Sequence, residues 1–303
     1  MKTIAVFTKN KLNPAYTGAR LAADRVAARF GTRTVHYVPD TPDDPVEQSA
    51  LIDRAIASRP DAIAFVPAHP TAVDEAVLRI NRAGIPIVNL INRLTSGDSV
   101  CFVGSDDRAL AERVATRLFD ALGGSGTVVI LEGPPGVVTG VARSEGFRAA
   151  AARFAGITVA ASARGDFLHA PAEHAMAGLL AAHPRIDGVL AANDVMASGA
   201  IAALAAAQRN ALVIGVNALP EAIAAIKRGT MLATADFDAY KLAAVATEAA
   251  LRHLRGERIP REIMLPVQVV DASNCAAWDK PIEAREAPRW EDVVGSSPPS
   301  LRA

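Results

Sequence analysis

Short apolar runs alternate along the chain with longer stretches whose apolar residues recur every third or fourth position. That alternation predicts strands and helices in turn. Strands are expected at Lys2–Thr8, Thr32–Val38, Ala62–Val66, Pro86–Leu90 and Val100–Val103, with helices at Ala15–Phe30, Val46–Ser58 and Thr71–Arg82. Leu51, Ile52, Ala55 and Ile56 form the stripe that marks the second helix. The pattern restarts with helix Arg108–Leu122, which Gly123-Gly124 stops. Strands Thr127–Leu131, Thr158–Ser162, Gly188–Ala191, Leu212–Val216 and Met231–Ala235 follow, with helices Val141–Phe154, Ala172–Ala182, Val195–Ala207, Pro220–Arg228 and Ala239–Leu254. One last strand is expected at Ile263–Val270. Beyond it the chain is rich in Pro, Ser and charge, and residues 294–303 are expected to be a disordered tail.

Alternating strands and helices imply α/β architecture, with parallel sheets covered by helices on both faces. So many strands exceed what one twisted open sheet usually holds, so two sheets of similar size are expected. An internal echo agrees with this. Arg59-Pro60-Asp61-Ala62-Ile63-Ala64-Phe65-Val66 resembles Arg185-Ile186-Asp187-Gly188-Val189-Leu190-Ala191-Ala192. Both read as helix exit, Asp, then apolar strand. The expected fold is two doubly wound lobes with a cleft between them.

Composition narrows the function. The chain has 303 residues, half of them hydrophobic, with aromatics at 5%. Lys plus Arg and Asp plus Glu are both 32, so no charge excess points to nucleic acid or an anionic membrane. No apolar stretch reaches a membrane span. Met1-Lys2 leads directly into an apolar strand without the pattern of a secretory leader. The expectation is either a cytoplasmic protein or an exported one whose signal is absent from this sequence. Cys101 and Cys275 make no metal motif; free or paired states both remain open.

Several chemistries can be set aside. Gly123-Gly124-Ser125-Gly126 precedes a strand, so it cannot cradle a phosphate at a helix start. Gly133-Pro134-Pro135-Gly136 follows a strand, but its prolines lack the needed N–H groups. The histidines, His69 among them, have no metal-ligand spacing, and no Gly-x-Ser-x-Gly elbow occurs. Asp43-Asp44 reads as a turn and Asp106-Asp107 as a helix cap, while Asp236 and Asp238 can be cap or ligand acceptor. No cofactor, metal or catalytic residue is therefore expected.

What remains is the chemistry just past each strand. Lys9, Asn10 and Asn13, with Tyr16 nearby, follow the first; Asn92 and Arg93 follow the fourth. Asn193-Asp194, Asn217 and Asp236 follow later strands, and Arg143 and Phe167 fall at the same end of their units. Open α/β sheets bind ligands there. Capping explains each residue singly; Asn193 or Asp194, for example, can cap the helix that follows. Taken together, amides that donate and accept, with charged groups and aromatic walls, suit a neutral polyhydroxyl ligand.

At these residues the sequence resembles the type 1 periplasmic sugar-binding proteins, the ribose-binding-like receptors of ABC transporters. The resemblance spans roughly residues 2–270. It rests on Asn13-Pro14-Ala15-Tyr16, Ile85-Pro86-Ile87-Val88 with Asn92-Arg93, Arg143-Ser144-Glu145-Gly146-Phe147, Gly165-Asp166-Phe167 and Ala192-Asn193-Asp194-Val195-Met196-Ala197-Ser198-Gly199. It implies two lobes joined by a three-segment hinge: 1–104 plus 238–268, and 105–237 plus 269–293. It implies ligand contacts from Lys9, Asn13, Tyr16, Asn92, Arg93, Arg143, Phe167, Asn193, Asn217, Asp236 and Phe237. It also implies a periplasmic monomer that closes on a sugar or polyol and delivers it to a membrane permease, with no enzyme activity and no nucleic-acid partner.

Departures from the family pattern change the expected ligand. Ala15 stands where an aromatic is usual, and Asn92 and Asn217 stand where acids are usual. A carboxylate accepts at both oxygens, whereas an amide accepts at one atom and donates from the other. A ligand with a hydroxyl pattern other than ribose's is expected. The alternative function is the effector-binding core of a lac-repressor-type regulator lacking its DNA-binding domain. An enzyme on a doubly wound fold is a further alternative that the fold alone leaves open.

Overall fold

The computed structural model describes residues 1–281 and 284–295. Along the chain run β1 (Thr3–Phe7), α1 (Pro14–Arg29), β2 (Arg33–Tyr37), α2 (Pro45–Ser58), β3 (Ala62–Phe65), α3 (Asp74–Arg82), β4 (Ile87–Leu90) and β5 (Cys101–Gly104). Next come α4 (Asp107–Ala121), β6 (Ser125–Glu132), α5 (Val138–Ala151), β7 (Gly156–Arg164), α6 (His169–Ala182), β8 (Gly188–Ala191), α7 (Asp194–Ala206), β9 (Leu212–Val216), α8 (Pro220–Lys227) and β10 (Ala233–Ala235). The described residues end with α9 (Ala239–His253), β11 (Glu262–Met264), β12 (Val269–Asp271), a 3-10 turn at Cys275–Trp278 and α10 (Trp290–Gly295).

These elements form two compact units. The first holds residues 1–105, 238–266 and the described residues from 284 on; the second holds 106–237 and 267–281. Each has a six-stranded sheet, in the order β11-β5-β4-β3-β1-β2 and β12-β10-β9-β8-β6-β7. The second order repeats the first with β6–β10 in place of β1–β5, and β12 in place of β11. All pairings are parallel except β10 with β12.

The sequence echo has a structural cause. Asp61 Oδ2 accepts from Thr3 N–H, and Asp187 Oδ2 accepts from Thr127 N–H, both at 2.7 Å. Each Asp precedes its strand and ties it to the start of the neighbouring strand, β1 or β6.

Three expectations are corrected. The strand foreseen at Ile263–Val270 is two short strands, β11 and β12, one in each sheet. Both have apolar residues, but Pro266 lies between them and removes a ladder donor. The passage between units therefore falls after residue 266. The segment from 284 to 293, expected with the second lobe, belongs to the first unit. Its reason is chemical: Arg285 pairs with Asp238, and Arg252 lies over the Trp290 ring. Of the tail expected to be disordered, residues 294 and 295 finish α10 and 296–303 lie outside the described residues.

The first unit's core gathers Phe7, Tyr37 and Phe65 on one face of its sheet; the Phe7 and Tyr37 rings stack at 4.9 Å. The second buries Phe119 and Phe147, with Phe154 edge-on to Phe119. Helix starts follow side-chain chemistry. Asn13, Asp44, Asp106, Asn193 and Asp238 each accept from an unpaired first-turn N–H of the helix they precede. Cys101 and Cys275 are free and buried, and burial pushes the Cys101 thiol up to about 12.

Candidate functional site

In a parallel sheet all carboxyl ends lie along one edge, so the loops that leave them share a surface within each unit. At that edge the first unit buries Lys9. Its Nζ lies 3.0 Å from Asp43 Oδ1, and its side chain is 4% exposed. Phe7 and Tyr37 are in register, which brings the loops after β1 and β2 together. Asp43 adopts a left-handed backbone, φ 60°, and donates its N–H to Lys9 O at 2.8 Å. Asn10 accepts from Leu12 and Asn13 N–H and donates to Asp43 Oδ2. Asn13 is the α1 cap, accepting from Ala15 N–H at 3.0 Å, and Tyr16 is buried in the first turn.

Asn92 follows β4 and Ile91, whose φ is 67°. Asn92 Nδ2 donates to Pro67 O, while Asn92 Oδ1 is buried without a hydrogen-bond partner among the described residues. Asn89 Nδ2 donates to Asn92 O and so fixes this turn. Arg93 has different surroundings. Its guanidinium lies 3.9 Å from the Phe102 ring centroid and pairs with Glu262, and the side chain is largely exposed. The structure thus groups Lys9, Asn13 and Tyr16 around one loop and sets Asn92 at β4, while Arg93 is engaged by β5 and β11.

The second unit is built around Arg143 in α5. Nε donates to Asp107 Oδ1 and Nη1 to Ala192 O, both at 2.8 Å, and the guanidinium lies 4.7 Å from the Phe237 ring centroid. One buried cation therefore joins the start of α4 to the ends of β8 and β10. Phe167 sits in a left-handed turn after β7, φ 60° following Asp166 at 52°. Such a conformation is strained for a bulky residue. Its ring covers Gly133: a Cβ there would come within 2.5–2.9 Å of ring atoms. Asn193 Nδ2 donates to Phe167 O at 3.2 Å, and Asn193 Oδ1 caps α7. Asn217, φ 127°, donates from Nδ2 to Phe237 O, and Asp236 N–H donates to Gln268 O.

Strain marks this edge. Among the described residues eight non-glycines have positive φ; Asp43, Ile91, Asp166, Phe167, Asn217 and Ala218 lie in loops leaving strand ends. Backbone strain of this kind concentrates at ligand-binding positions. Sequence reasoning missed this, because only Asn and Asp are at home in that region. It also missed the counter-ions Asp43, Asp107 and Glu262, which are distant in sequence from their cations. Asp194, read as a cap candidate, binds inward instead: its oxygens accept from Leu219 N–H and Thr234 Oγ, and burial pushes its carboxyl up to about 6.

Other features lie apart from these residues. A cavity of about 240 Å³ beside Glu132, Gly133 and Arg148 is lined by none of the expected contact residues. His69 is exposed and its Nδ1 accepts from Thr71 and Ala72 N–H. Among the described residues no His, Cys, Asp and Glu cluster could hold a metal, and no helix is long and apolar enough to cross a membrane.

Residues 4–258 match the model of the periplasmic binding protein domain. The chain belongs to the periplasmic binding protein family. Within this family it is a type 1, sugar-binding-like member. It is 30% identical over 270 residues to the ribose import binding protein of Salmonella typhimurium, covering 88% of this chain and 90% of that one. Among solved structures it is similar to an ABC transporter periplasmic solute binding protein of Actinobacillus succinogenes with bound D-allose, with 31% identity and a TM-score of 0.87. That likeness covers 91% of this chain and 100% of the other. It is likewise similar to an ABC transporter solute binding protein of Bacillus halodurans with bound myo-inositol, with 27% identity and a TM-score of 0.86. There the coverage is 92% and 97%.

Proposed function

We propose that the chain is the solute-binding receptor of an ABC transporter, capturing a neutral sugar or polyol and delivering it to a membrane permease. The carrying observation is the pairing of the cations at the strand ends. Lys9 is paired with Asp43, Arg143 with Asp107 and Arg93 with Glu262. Each cation has its own carboxylate inside its own unit, so a neutral ligand needs no further compensation. A buried charge without a partner would be costly.

In this reading Lys9, Asn13, Tyr16, Asn92 and Arg93 are the first unit's contacts. Arg143, Phe167, Asn193, Asn217, Asp236 and Phe237 are the second's. Asn92 Oδ1 accepts a ligand hydroxyl, and Phe167 supplies an apolar wall for a sugar's C–H face. Ligand that bonds to both units favours the closed arrangement by its differential affinity for it. The protein acts as a monomer in the periplasm, and the permease reads the closed shape. No step of chemistry is required.

Titration calorimetry with D-ribose, D-allose, xylitol and myo-inositol tests the reading. Binding of at least one with unit stoichiometry is expected. Failure of all four, together with binding of a sugar phosphate or an amino acid, would overturn it.

A further inference from the structure

The C-terminal segment holds a feature that the ligand site does not use. After residue 281 the chain leaves the second unit, and the described residues from 284 on pack with the first. The passage between units is thus made four times, after 105, 237, 266 and 281. The D-allose-bound relative is covered along its whole length by 91% of this chain, so about a tenth of this chain lies outside that match.

Arg285 grips a particular residue. Its Nη1 lies 3.2 Å from Asp238 Oδ2, and the two side chains are 9% and 4% exposed. Asp238 is the first residue of the first unit after the passage at 237. Its other oxygen caps α9, accepting from Tyr240 and Lys241 N–H at 2.9 and 3.2 Å. Lys241 Nζ also approaches Oδ2, at 3.7 Å. The two residues before it, Asp236 and Phe237, are proposed ligand contacts. Farther along the segment Trp290 lies under the Arg252 guanidinium at 4.9 Å, and Val293 is buried. Arg252 is itself held by Glu248 and Glu257. The segment is anchored at both of its described ends.

We infer that the C-terminal segment is a clamp on the interdomain passage at Phe237–Asp238, with Arg285 as the positioning residue. A buried charged hydrogen bond fixes the Asp238 carboxylate, and Asp238 fixes the start of α9. The backbone on both sides of Asp238 is then ordered before any ligand arrives. Without the clamp a ligand must order that backbone on binding, and affinity falls without any lost ligand contact. This coupling to affinity rests on the function proposed above; the clamp itself does not.

Hydrogen exchange of the ligand-free full chain tests the clamp directly. In Arg285→Gln, amides of residues 237–241 are expected to exchange at least tenfold faster than in the unaltered protein. Amides in the middle of α9 should be unchanged. Arg285→Lys should restore most of the protection, and Trp290→Ala should show a smaller change of the same sign. Unchanged exchange at 237–241 in both Arg285→Gln and Trp290→Ala would overturn the clamp. Affinity for D-ribose and myo-inositol tests the coupling: both should weaken by the same factor, roughly three- to tenfold. A lowered melting temperature with unchanged affinities would make Arg285 merely structural, and a changed ratio would make it a ligand contact. Either result overturns the coupling. If neither compound binds the unaltered protein, the coupling is measured with D-allose or xylitol; if all four fail, the ligand assignment falls and the exchange result still decides the clamp.

Discussion

Single residues divide into groups that hold the fold and groups proposed to face a ligand. Asp194 belongs to the first kind. Its carboxyl ordinarily titrates at 3.8 and burial raises it to about 6, so the folded chain binds that proton more tightly than the unfolded one. Its contribution to stability is therefore fully present below about pH 4 and is lost as pH rises through about 6. Urea midpoints measured from pH 4 to 7 should fall relative to those of Asp194→Asn, whose side chain does not titrate. Parallel curves would contradict the assignment. In the function proposed above, Asn92 belongs to the second kind. Among the described residues its Oδ1 is buried and unsatisfied, and its side-chain amide makes one bond, to Pro67 O. Asn92→Leu should weaken ligand binding by about 1–3 kcal/mol in calorimetry, with a smaller loss of stability. Caps were legible in the sequence, because Asn13, Asp106 and Asn193 each precede a helix pattern. The counter-ions were not. Asp43 meets Lys9 through strand register, and Glu262 meets Arg93 from a strand at the far end of the chain; neither pairing leaves a local signal.

At the scale of elements, the parallel strands and their helices follow from apolar periodicity, and most predicted cores coincide with observed elements. Departures occur where local pattern and tertiary use differ. The apolar stretch from Ile263 to Val270 is continuous enough to read as one strand, yet its halves serve two sheets. Helix α5 begins at Val138, ahead of the apolar stripe, and so carries Gly140 against the Phe167 ring. That packing makes the β6–α5 loop a support for the β7–α6 turn. A methyl group at Gly133 would meet ring atoms at 2.5–2.9 Å. Gly133→Ala is expected to cost about 1–3 kcal/mol of stability, as overpacking does, and to weaken ligand binding by displacing the ring. Chemical denaturation and calorimetry on one variant check both effects. Full stability with full affinity would show that Phe167 can move freely. The cap of α1 offers a milder contrast. Asn13→Ala should lose about 1 kcal/mol from capping alone. A larger loss of affinity than of stability would mark Asn13 as a ligand contact as well.

At the scale of the molecule, the same strand order occurs twice, and Asp61 and Asp187 hold equivalent places in the two copies. This duplication was visible in the sequence as a short echo, since both copies need an acid before the same strand. The fourth passage between units, after residue 281, was not visible, because the Pro-rich and charged sequence after residue 271 has no period. If ligand draws the units together, small-angle scattering should show a smaller radius of gyration at saturation; an unchanged radius would contradict hinge closure. The central claim is recognition of a neutral polyhydroxyl ligand, and a thermal-shift panel tests it most directly. The panel pairs pentoses, hexoses and polyols with sugar phosphates, sugar acids and amino acids. A ligand at a hundred times its dissociation constant stabilises by about 2.7 kcal/mol, enough for a rise of several degrees. Such a rise is expected for at least one neutral sugar or polyol and none for the charged compounds. A rise with a charged compound and none with any neutral one would contradict it.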